Sequence, residues 1–486
     1  MEKTNHRLIA RLTGSILGVL ATAALLPLAL SLYMRDGAQY AFTMTVGAMG
    51  ICALLFHNLL GRRAVYQLRE RESFYITAAI WLVAPLGGSL PYLLSGTLPT
   101  FTDAVFESFS GFTTTGSSVV SDPRGCAPSI LLWRAMTQWV GGLGLILFLV
   151  AVTRRLREGS LQLYDAEFSG TQQRKLHPKI AVSVSRMWHI YILLTLILGA
   201  LLAIAGNSPL DSVCLALSTV STGGFMTSAG GLVGYSRLTL AILTVFMFLS
   251  GVNVALLYNF LTLHWHRLRH SAEFVVYLVV FALSVGLCTL GGTLYGMPVL
   301  EALRDSAFHV ASTVSTCGFY QPTELCTSPL GASVTFLLIL CGAMAGSTGG
   351  GIKLRRLMTL SRYLRNYFTR MLHPSAVFSV KIDHKPVPAD YVNKIFGFMF
   401  LYICFILGGA FLLTVGGSSI PEAFCLAAAN ISNLGPSPLI NSMGASLDYA
   451  TLSTLSKWTL IVLMLAGRLE IFALLAIFLP VNWKRR

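Results

Sequence analysis

The sequence predicts an all-α polytopic membrane protein of four similar units, with two further transmembrane helices at the N-terminus. Apolar residues make up 54% of the 486 residues and charged residues only 11%, whereas a soluble protein carries about a quarter charged residues. A short pattern of an acid, a hydroxyl residue and a glycine also recurs four times. Such self-similarity indicates one structural unit used repeatedly.

The apolar segments have the length of membrane spans. Mean hydropathy is +0.69, and apolar runs near 20 residues can cross a hydrocarbon core of about 30 Å. The first run is too long, and too free of a small-residue cleavage site, for a removed signal peptide. Ten spans are expected, near 8–33, 39–60, 75–96, 129–153, 186–206, 237–262, 273–295, 329–360, 392–416 and 453–480.

One copy of the repeat lies between spans three and four, five and six, seven and eight, and nine and ten. In each copy an acid precedes a glycine by thirteen positions. The acids are Asp103, Asp211, Asp305 and Glu422, and the glycines are Gly116, Gly224, Gly318 and Gly435. Each copy opens with an apolar stretch of about ten residues, too short to span. Each unit is therefore expected to be span, half-crossing short helix, loop and span.

These patterns divide the chain into five parts. Residues 1–72 form the two extra helices, and the units are 73–160, 161–270, 271–390 and 391–486. Most Lys and Arg lie on the side opposite the repeat loops, so the positive-inside rule places both termini in the cytoplasm. The net charge of +15 thus reflects topology rather than nucleic-acid binding. Acids outnumber bases on the outer side, which would concentrate cations there.

The repeat loops have the chemistry of an ion pathway. Irregular backbone at membrane depth is tolerated only where protein buries it or where it lines a water-filled path. Glycine reaches positive φ without steric cost. Four such loops around one axis would form rings of carbonyls, which hold a dehydrated cation. The alternative is four packing loops with ordinary turn glycines, but four copies in register on one side favour a pore.

The candidate ion-binding residues are the last four of each copy. The hydroxyls at the first position of each copy are expected to form a further ring, and the acid of each copy to stabilise the start of its short helix. Asn433 and Leu434 make the pore at best pseudo-fourfold. The candidates are Thr113, Thr114, Thr115, Gly116, Ser221, Thr222, Gly223, Gly224, Ser315, Thr316, Cys317, Gly318, Ser432, Asn433, Leu434 and Gly435.

Two further features point to a gate below these loops. Five glycines in residues 342–351 cannot sustain a regular helix, so Gly346, Ser347, Thr348, Gly349 and Gly350 are expected to form a flap. The alternative is a packing kink between close helices.

Arg468 lies midway along an apolar span, where a charge is costly and usually functional. It is expected to act as a barrier or as an anchor for the flap. Snorkelling to the cytoplasmic surface and an ion pair with Glu470 are the alternatives.

The chain resembles the Trk/Ktr/HKT family of potassium transporters, and within it the TrkH-type membrane subunits of bacterial potassium uptake systems. The resemblance rests on the four loops, on the segments ending at Phe225 and Phe319, and on residues 466–471. It implies potassium uptake across the bacterial inner membrane, with K⁺ as the transported ion. It also implies a homodimer with one pore per subunit, a cytosolic TrkA-like nucleotide-binding subunit and an intramembrane loop. Symport with H⁺ or Na⁺ stays open.

Other function classes fit less well. An intramembrane enzyme would need a nucleophile, metal ligands or an acidic dyad inside a span, and the sequence has none of their motifs. Ion-coupled carriers tend to have inverted repeats and buried carboxylates, whereas these four units run in the same sense.

Smaller features of the sequence give further expectations. A basic cluster after the broken span is expected to dock the regulatory subunit, with attraction to anionic lipid head groups as the alternative. Cys126 and Cys326 are expected to be free thiols rather than bridged. His264, His266 and His270 are expected to form a solvated turn rather than a metal site. His309 is expected to be a packed, hydrogen-bonded residue rather than a proton sensor. The basic cluster is Lys353, Arg355, Arg356, Arg362 and Arg365.

Overall fold

A computed structural model describes residues 6–61, 70–145, 180–228, 230–262, 266, 270–321, 328–373, 379–383, 385–435 and 448–478. These residues are predominantly helical, which confirms the predicted fold class. The first two helices outside the repeat are each interrupted. They comprise His6–Ala23 with Leu25–Met34, and Gln39–Leu54 with a π-helical stretch Leu55–Leu60. A short antiparallel hairpin pairs Lys381–Ile382 with Lys385–Pro386.

Each unit has a leading helix, a short helix and a trailing helix. The leading helices are Glu70–Gly88 (continued by Leu90–Leu94), Ile180–Ile204, Ala272–Leu294 and Ala389–Val415. The short helices are Phe101–Phe112, Pro209–Val220, Val299–Val314 and Ile420–Ile431. The trailing helices are Pro128–Gly142, Arg237–Ser250, Pro329–Cys341 and Thr454–Arg468.

The four units close into a ring. Within each unit the short helix packs against both its leading and its trailing helix. The trailing helices of units one, two and three also pack against the short helix of the next unit, and that of unit four packs against the short helix of unit one. The closure around one axis gives the predicted pseudo-fourfold arrangement of similar parts.

Unbroken trailing helices were predicted for units one, two and four, and the structure interrupts all three. Six described helices are long and apolar enough to cross a membrane, or seven if the pair Arg237–Ser250 and Val254–Leu261, bent by 113°, is one span. The other three trailing helices have 15, 13 and 15 residues. At 1.5 Å per residue they reach about 20–23 Å, short of the hydrocarbon core. The sequence predicted such a break only for unit three.

The short helices of units one, two and four begin as expected, and that of unit three does not. Asp103, Asp211 and Glu422 occupy the first turn of theirs, each bonded to the Thr or Ser at the N-cap. In unit three the helix begins at Val299, so Glu301 occupies the first turn. Asp305 lies one turn further in and pairs with Arg304 at 2.8 Å. The expectation that Asp305 stabilises the helix start is therefore wrong.

Glycines let the trailing helices approach the ends of the short helices. A Cβ on Gly141 would fall against the Phe112 carbonyl, and one on Gly467 against the Ile431 carbonyl. Gly141 and Gly467 occupy the same position, counted from the start of their trailing helices. The trailing helices of units one and four therefore meet the short-helix ends at the same point along their length.

We predict that Gly141→Ala destabilises the protein. Its methyl group would lie well inside the 3.0 Å that real Cβ atoms keep from backbone oxygen, and overpacking costs about 1–3 kcal/mol. The control is Gly286→Ala, in a leading helix with nothing within 4 Å of the added carbon. Thermal midpoints of the detergent-solubilised variants test this, and equal midpoints would contradict it.

Candidate functional site

All four short helices end in the same hydrogen-bonded turn, a Schellman motif. In unit two the Gly223 amide donates to the Ser218 carbonyl at 2.8 Å and the Thr222 amide to the Thr219 carbonyl at 3.0 Å. The other three units repeat both bonds, with distances of 2.9 to 3.1 Å. This 6→1 and 5→2 pairing satisfies two backbone donors and two carbonyls at each helix end.

The turn forces a residue other than glycine into the left-handed region in every copy. These residues have φ between 53° and 59°, and the glycines two positions later have φ between 78° and 83°. All sixteen candidate ion-binding residues are buried. The left-handed residues are Thr114, Thr222, Thr316 and Asn433.

The glycines bring neighbouring copies into contact. A Cβ on Gly116 would collide with the Gly223 carbonyl oxygen, one on Gly224 with that of Cys317, and one on Gly435 with that of Thr115. Three of the four junctions of a ring are thus made by a glycine against the carbonyl that precedes the neighbouring copy's glycine. The four segments surround one axis and lie at corresponding positions.

The first hydroxyl of each copy bonds within its own unit. Thr113 donates to the Phe109 carbonyl at 2.7 Å, and Ser315 to the Ala311 carbonyl at 2.6 Å. Ser221 likewise bonds its own short helix. The Ser432 hydroxyl meets the Tyr402 hydroxyl at 2.7 Å. Three of these hydroxyls therefore bond the end of their own short helix, and the Ser432 hydroxyl bonds the leading helix of its unit. The further ring that the sequence suggested stays a prediction.

Copy four keeps the common backbone despite its different side chains. Asparagine adopts positive φ more readily than threonine, so Asn433 suits its position. Its amide Nδ2 donates to Thr115 Oγ1 at 3.0 Å and to the Met464 carbonyl at 2.9 Å. The Leu434 side chain is fully buried in the core. The side chain of Asn433 thus ties copy four to copy one.

The Gly-rich segment 342–351 has an ordered, hydrogen-bonded path. The Ala345 amide donates to Glu273 Oε1 at 2.7 Å, and Asn253 Nδ2 donates to the Ala345 carbonyl at 2.5 Å. The Met344 amide donates to the Gly251 carbonyl at 3.1 Å. Protein groups therefore supply partners for irregular backbone at membrane depth.

This segment lies against the ends of three short helices. The Thr348 hydroxyl is 3.3 Å from the Val220 carbonyl, and the Gly350 amide donates to Thr316 Oγ1 at 2.8 Å. A Cβ on Gly350 would strike the Ser432 carbonyl. Thr348 and Gly350, both among the predicted flap residues 346–350, thus contact the ends of short helices two, three and four.

Arg468 completes the contacts by reaching unit one. Its Nη1 donates to Thr114 Oγ1 at 3.3 Å and to the Thr348 carbonyl at 3.1 Å. Its Nη2 donates to the Gly142 carbonyl at 2.6 Å and also to the Gly141 carbonyl. The guanidinium therefore joins the candidate segment of unit one, the Gly-rich segment and the break in the first trailing helix.

The residues just below form a buried ion-pair cluster. Glu470 lies in the break after the fourth trailing helix and pairs with Arg356 and, at 3.6 Å, with Lys353. Arg356 is 5% exposed and stacks on Phe398, 4.1 Å from the ring centroid. The expectation that Lys353 and Arg356 belong to an exposed docking surface is therefore wrong, because both serve the interior of the protein.

Charges on the side that the sequence predicts to face outward are also partly neutralised. Lys457 Nζ lies 2.6 Å from Asp103 Oδ1, and Arg134 Nε lies 2.8 Å from Glu107 Oε1. Both pairs are largely buried. Each pair joins one acid to one base, so the excess of acids expected on that side is carried by other residues.

Two contacts behind the candidate segments were not predicted from the sequence. Glu107 and Arg134 form a buried ion pair behind copy one. Gln138 donates to the Gly223 carbonyl at 2.6 Å. Arg134 and Gln138 are one turn apart on an otherwise apolar trailing helix, and polar residues at this spacing share a face. That spacing was the available signal.

The structure describes His309 and the two later histidines of the predicted turn, His266 and His270. His309 is packed, with Nε2 2.6 Å from Thr335 Oγ1, and the described part of the chain has no group of three metal-ligating side chains. Cys326 and His264 lie outside the described residues, so the expectations that rest on them are untested.

The fold and the buried segments define a multi-span membrane transport protein. More particularly, the chain belongs to the TrkH family, described as cation transport proteins, whose profile matches residues 43–484. This confirms the resemblance and the expectation that the chain is not an enzyme.

Similar proteins cover the whole chain. The Trk system potassium uptake protein TrkH of Salmonella typhimurium is 34% identical, over 99% of this chain and 100% of that protein. TrkH of Halomonas elongata is also 34% identical, over 99% of both. The crystal structure of the potassium transporter TrkH from Vibrio parahaemolyticus matches with a TM-score of 0.86 and 29% identity, over 98% of this chain and 99% of that one.

Proposed function

We propose that this protein takes up K⁺ across the bacterial inner membrane, with the four buried segments as its selectivity filter. The observation that carries the proposal is the ring of four like turns, each with a positive-φ glycine, three of which touch the backbone of the neighbouring copy. Full-length relatives named as potassium uptake proteins support K⁺ as the cargo.

The chemistry of the ring suits a dehydrated cation. The Schellman bonds take up the amides of the second and third residues of each copy. The negative ends of four helices converge on the same region, and a helix C-terminus favours a cation. Backbone carbonyls of 113–116, 221–224, 315–318 and 432–435 would replace the hydration shell of K⁺.

We predict that the parent protein passes K⁺ and Rb⁺ better than Na⁺ and that Gly116→Ser reduces this preference. Serine resists φ of 83° and its Cβ would displace the Gly223 carbonyl. A fall of about tenfold in the permeability ratio corresponds to about 1.4 kcal/mol of lost discrimination. Reversal potentials in liposomes under opposing K⁺ and Na⁺ measure the ratio.

The matched control is Gly206→Ser. Gly206 also has positive φ, 91°, but nothing lies within 4 Å of an added Cβ. It should keep the parent's ratio. A parent protein without K⁺ preference would contradict the filter assignment itself.

The gate is the second part of the proposal. Gly346, Ser347, Thr348, Gly349 and Gly350 close the pathway below the filter, and Arg468 holds that closed state. The guanidinium sits where the converging helix ends favour a cation, so it competes there with the transported ion. The break at Glu470, clamped by Lys353 and Arg356, anchors the floor of this site.

We expect Arg468→Ala, and separately deletion of part of 344–350, to raise basal K⁺ flux without changing ion preference. Each lowering of a barrier by about 1.4 kcal/mol raises a rate tenfold. Tracer uptake into liposomes at matched protein density, without a partner subunit, gives the flux. Arg124→Ala, an exposed outer arginine, serves as the control. Unchanged flux in both test variants would make the Gly-rich segment a packing kink and Arg468 a structural charge.

The assembly and orientation belong to the same proposal. Both termini are cytoplasmic, the protein is a homodimer with one pore per subunit, and a TrkA-like nucleotide-binding subunit docks on the cytoplasmic side. Of the basic cluster, Arg365 is exposed and Arg362 half-buried on the helix Leu354–Leu372. These two, rather than Lys353 or Arg356, would meet the partner. Coupling to H⁺ or Na⁺ would make the uptake a symport.

We predict that reversing the charge of Arg362 and Arg365 to Glu abolishes co-purification with a co-expressed TrkA-type subunit. In this proposal the two arginines face acidic groups of the partner. Reversal would place like charges across the interface, which is strongly unfavourable. Lys394→Glu, an exposed lysine at the start of the fourth leading helix, should leave the complex intact. Survival of the complex in the double variant would reject this docking surface.

A further inference from the structure

We propose that Arg134 and Gln138 are positioning residues that brace copies one and two of the filter and thereby set ion discrimination. The inference rests on the proposed filter. Both residues lie on the first trailing helix, one turn apart, and both are buried, at 2% and 0% exposure. We call the pair, with Glu107, the brace.

Arg134 connects the two copies through its whole guanidinium. Nε pairs with Glu107 Oε1 at 2.8 Å, and Nη2 donates to Ser118 Oγ at 2.9 Å in the stretch that follows copy one. Nη1 donates to the Met226 carbonyl at 3.2 Å, just after copy two. The guanidinium carbon also lies 4.3 Å from the centroid of the Phe225 ring. One side chain therefore contacts the stretches that directly follow both copies.

Glu107 holds the same stretch from the other side. Its Oε2 accepts from the Val119 amide and its Oε1 from Ser118 Oγ, both at 2.9 Å. The carboxylate is fully buried. A buried carboxylate with a cation and two further donors is a satisfied, rigid group, whereas removal of one partner would leave an uncompensated charge.

Gln138 binds the filter segment itself. Its Nε2 donates to the Gly223 carbonyl at 2.6 Å and its Oε1 accepts from the Phe225 amide at 3.1 Å. The amide group thus spans Gly224, the filter glycine of copy two. A Cβ on Gly223 would run into the Gln138 side chain, so the glycine there is matched to this contact.

The internal repeat shows that packing alone does not require these polar residues. Counted from the helix start, Arg134 corresponds to Leu243, Thr335 and Leu460, and Gln138 to Met247, Ile339 and Met464. Counted back from the filter glycine, Glu107 corresponds to Leu215, His309 and Leu426. Units two and four thus fill the same three positions with leucine and methionine, and the leucines and methionines are buried.

This correspondence supplies variants that fit the fold. Gln138→Met removes both bonds to copy two with the residue that units two and four use. The double variant Glu107→Leu with Arg134→Leu removes both charges together, so no buried charge is left alone. In both, we expect the K⁺/Na⁺ permeability ratio to fall about fivefold, the change that the loss of one hydrogen bond of ordinary net strength produces.

The experiment compares reversal potentials, total K⁺ flux and thermal midpoints in liposome-reconstituted protein. Met247→Leu is the control and should keep the parent's ratio. A lower ratio in Gln138→Met, with a thermal midpoint near that of the parent, supports the brace. A parent-like ratio in both test variants overturns it, even if flux or stability falls. A parent protein without K⁺ preference would instead refute the proposed filter, so the two failures are distinguishable.

Discussion

The structure depends on ending four helices inside a membrane without leaving their backbone groups unpaired. Hydrocarbon offers no hydrogen-bond partner, so each short helix closes with its own Schellman turn. The turn places Thr114, Thr222, Thr316 and Asn433 at positive φ, a strained conformation that costs about 1–3 kcal/mol for most residues. Complete burial of all four segments and the contacts between neighbouring copies hold it in place. Because the same turn occurs in every unit, the backbone leaves each short helix at the corresponding point. The four glycines therefore come to corresponding positions around the axis.

The breaks in the trailing helices follow from this arrangement. The trailing helices of units one and four touch the backbone at the short-helix ends, and only glycine at positions 141 and 467 allows this contact. Both trailing helices end within one residue of that glycine. The carbonyls freed at the first break bind Arg468. A charge at this depth is costly without partners, and helix ends and broken backbone supply them. Glu470, in the fourth break, in turn partners Lys353 and Arg356.

The sequence was sufficient to predict the four repeated segments, but not the helix breaks and ion pairs that hold them in place. The offset from acid to glycine is a local pattern, so it identified the buried segment in all four copies. It failed at Asp305, because an earlier helix start after Pro298 puts Glu301 in the first turn. The breaks in three trailing helices were missed because one or two glycines in an apolar run also occur in packed, unbroken helices. The pairs Glu107–Arg134 and Glu470–Arg356 join residues 27 and 114 positions apart, and only the tertiary structure brings them together.

The pseudo-symmetry gives the chain a freedom that four identical subunits would lack. Arg468 occupies the fifteenth position of its trailing helix, where the other units have Gly142, Gly251 and Ala343. Four arginines at this depth would repel one another and would each need carbonyl partners. A single arginine instead uses the carbonyl of Gly142, its own counterpart in unit one. The same reasoning applies behind the proposed filter, where an ion pair, a hydrogen bond and two leucine pairs occupy equivalent sites. Because the four units belong to one chain, all four keep the same backbone ring. A side chain near the axis, such as Arg468, can nevertheless be present in one unit alone.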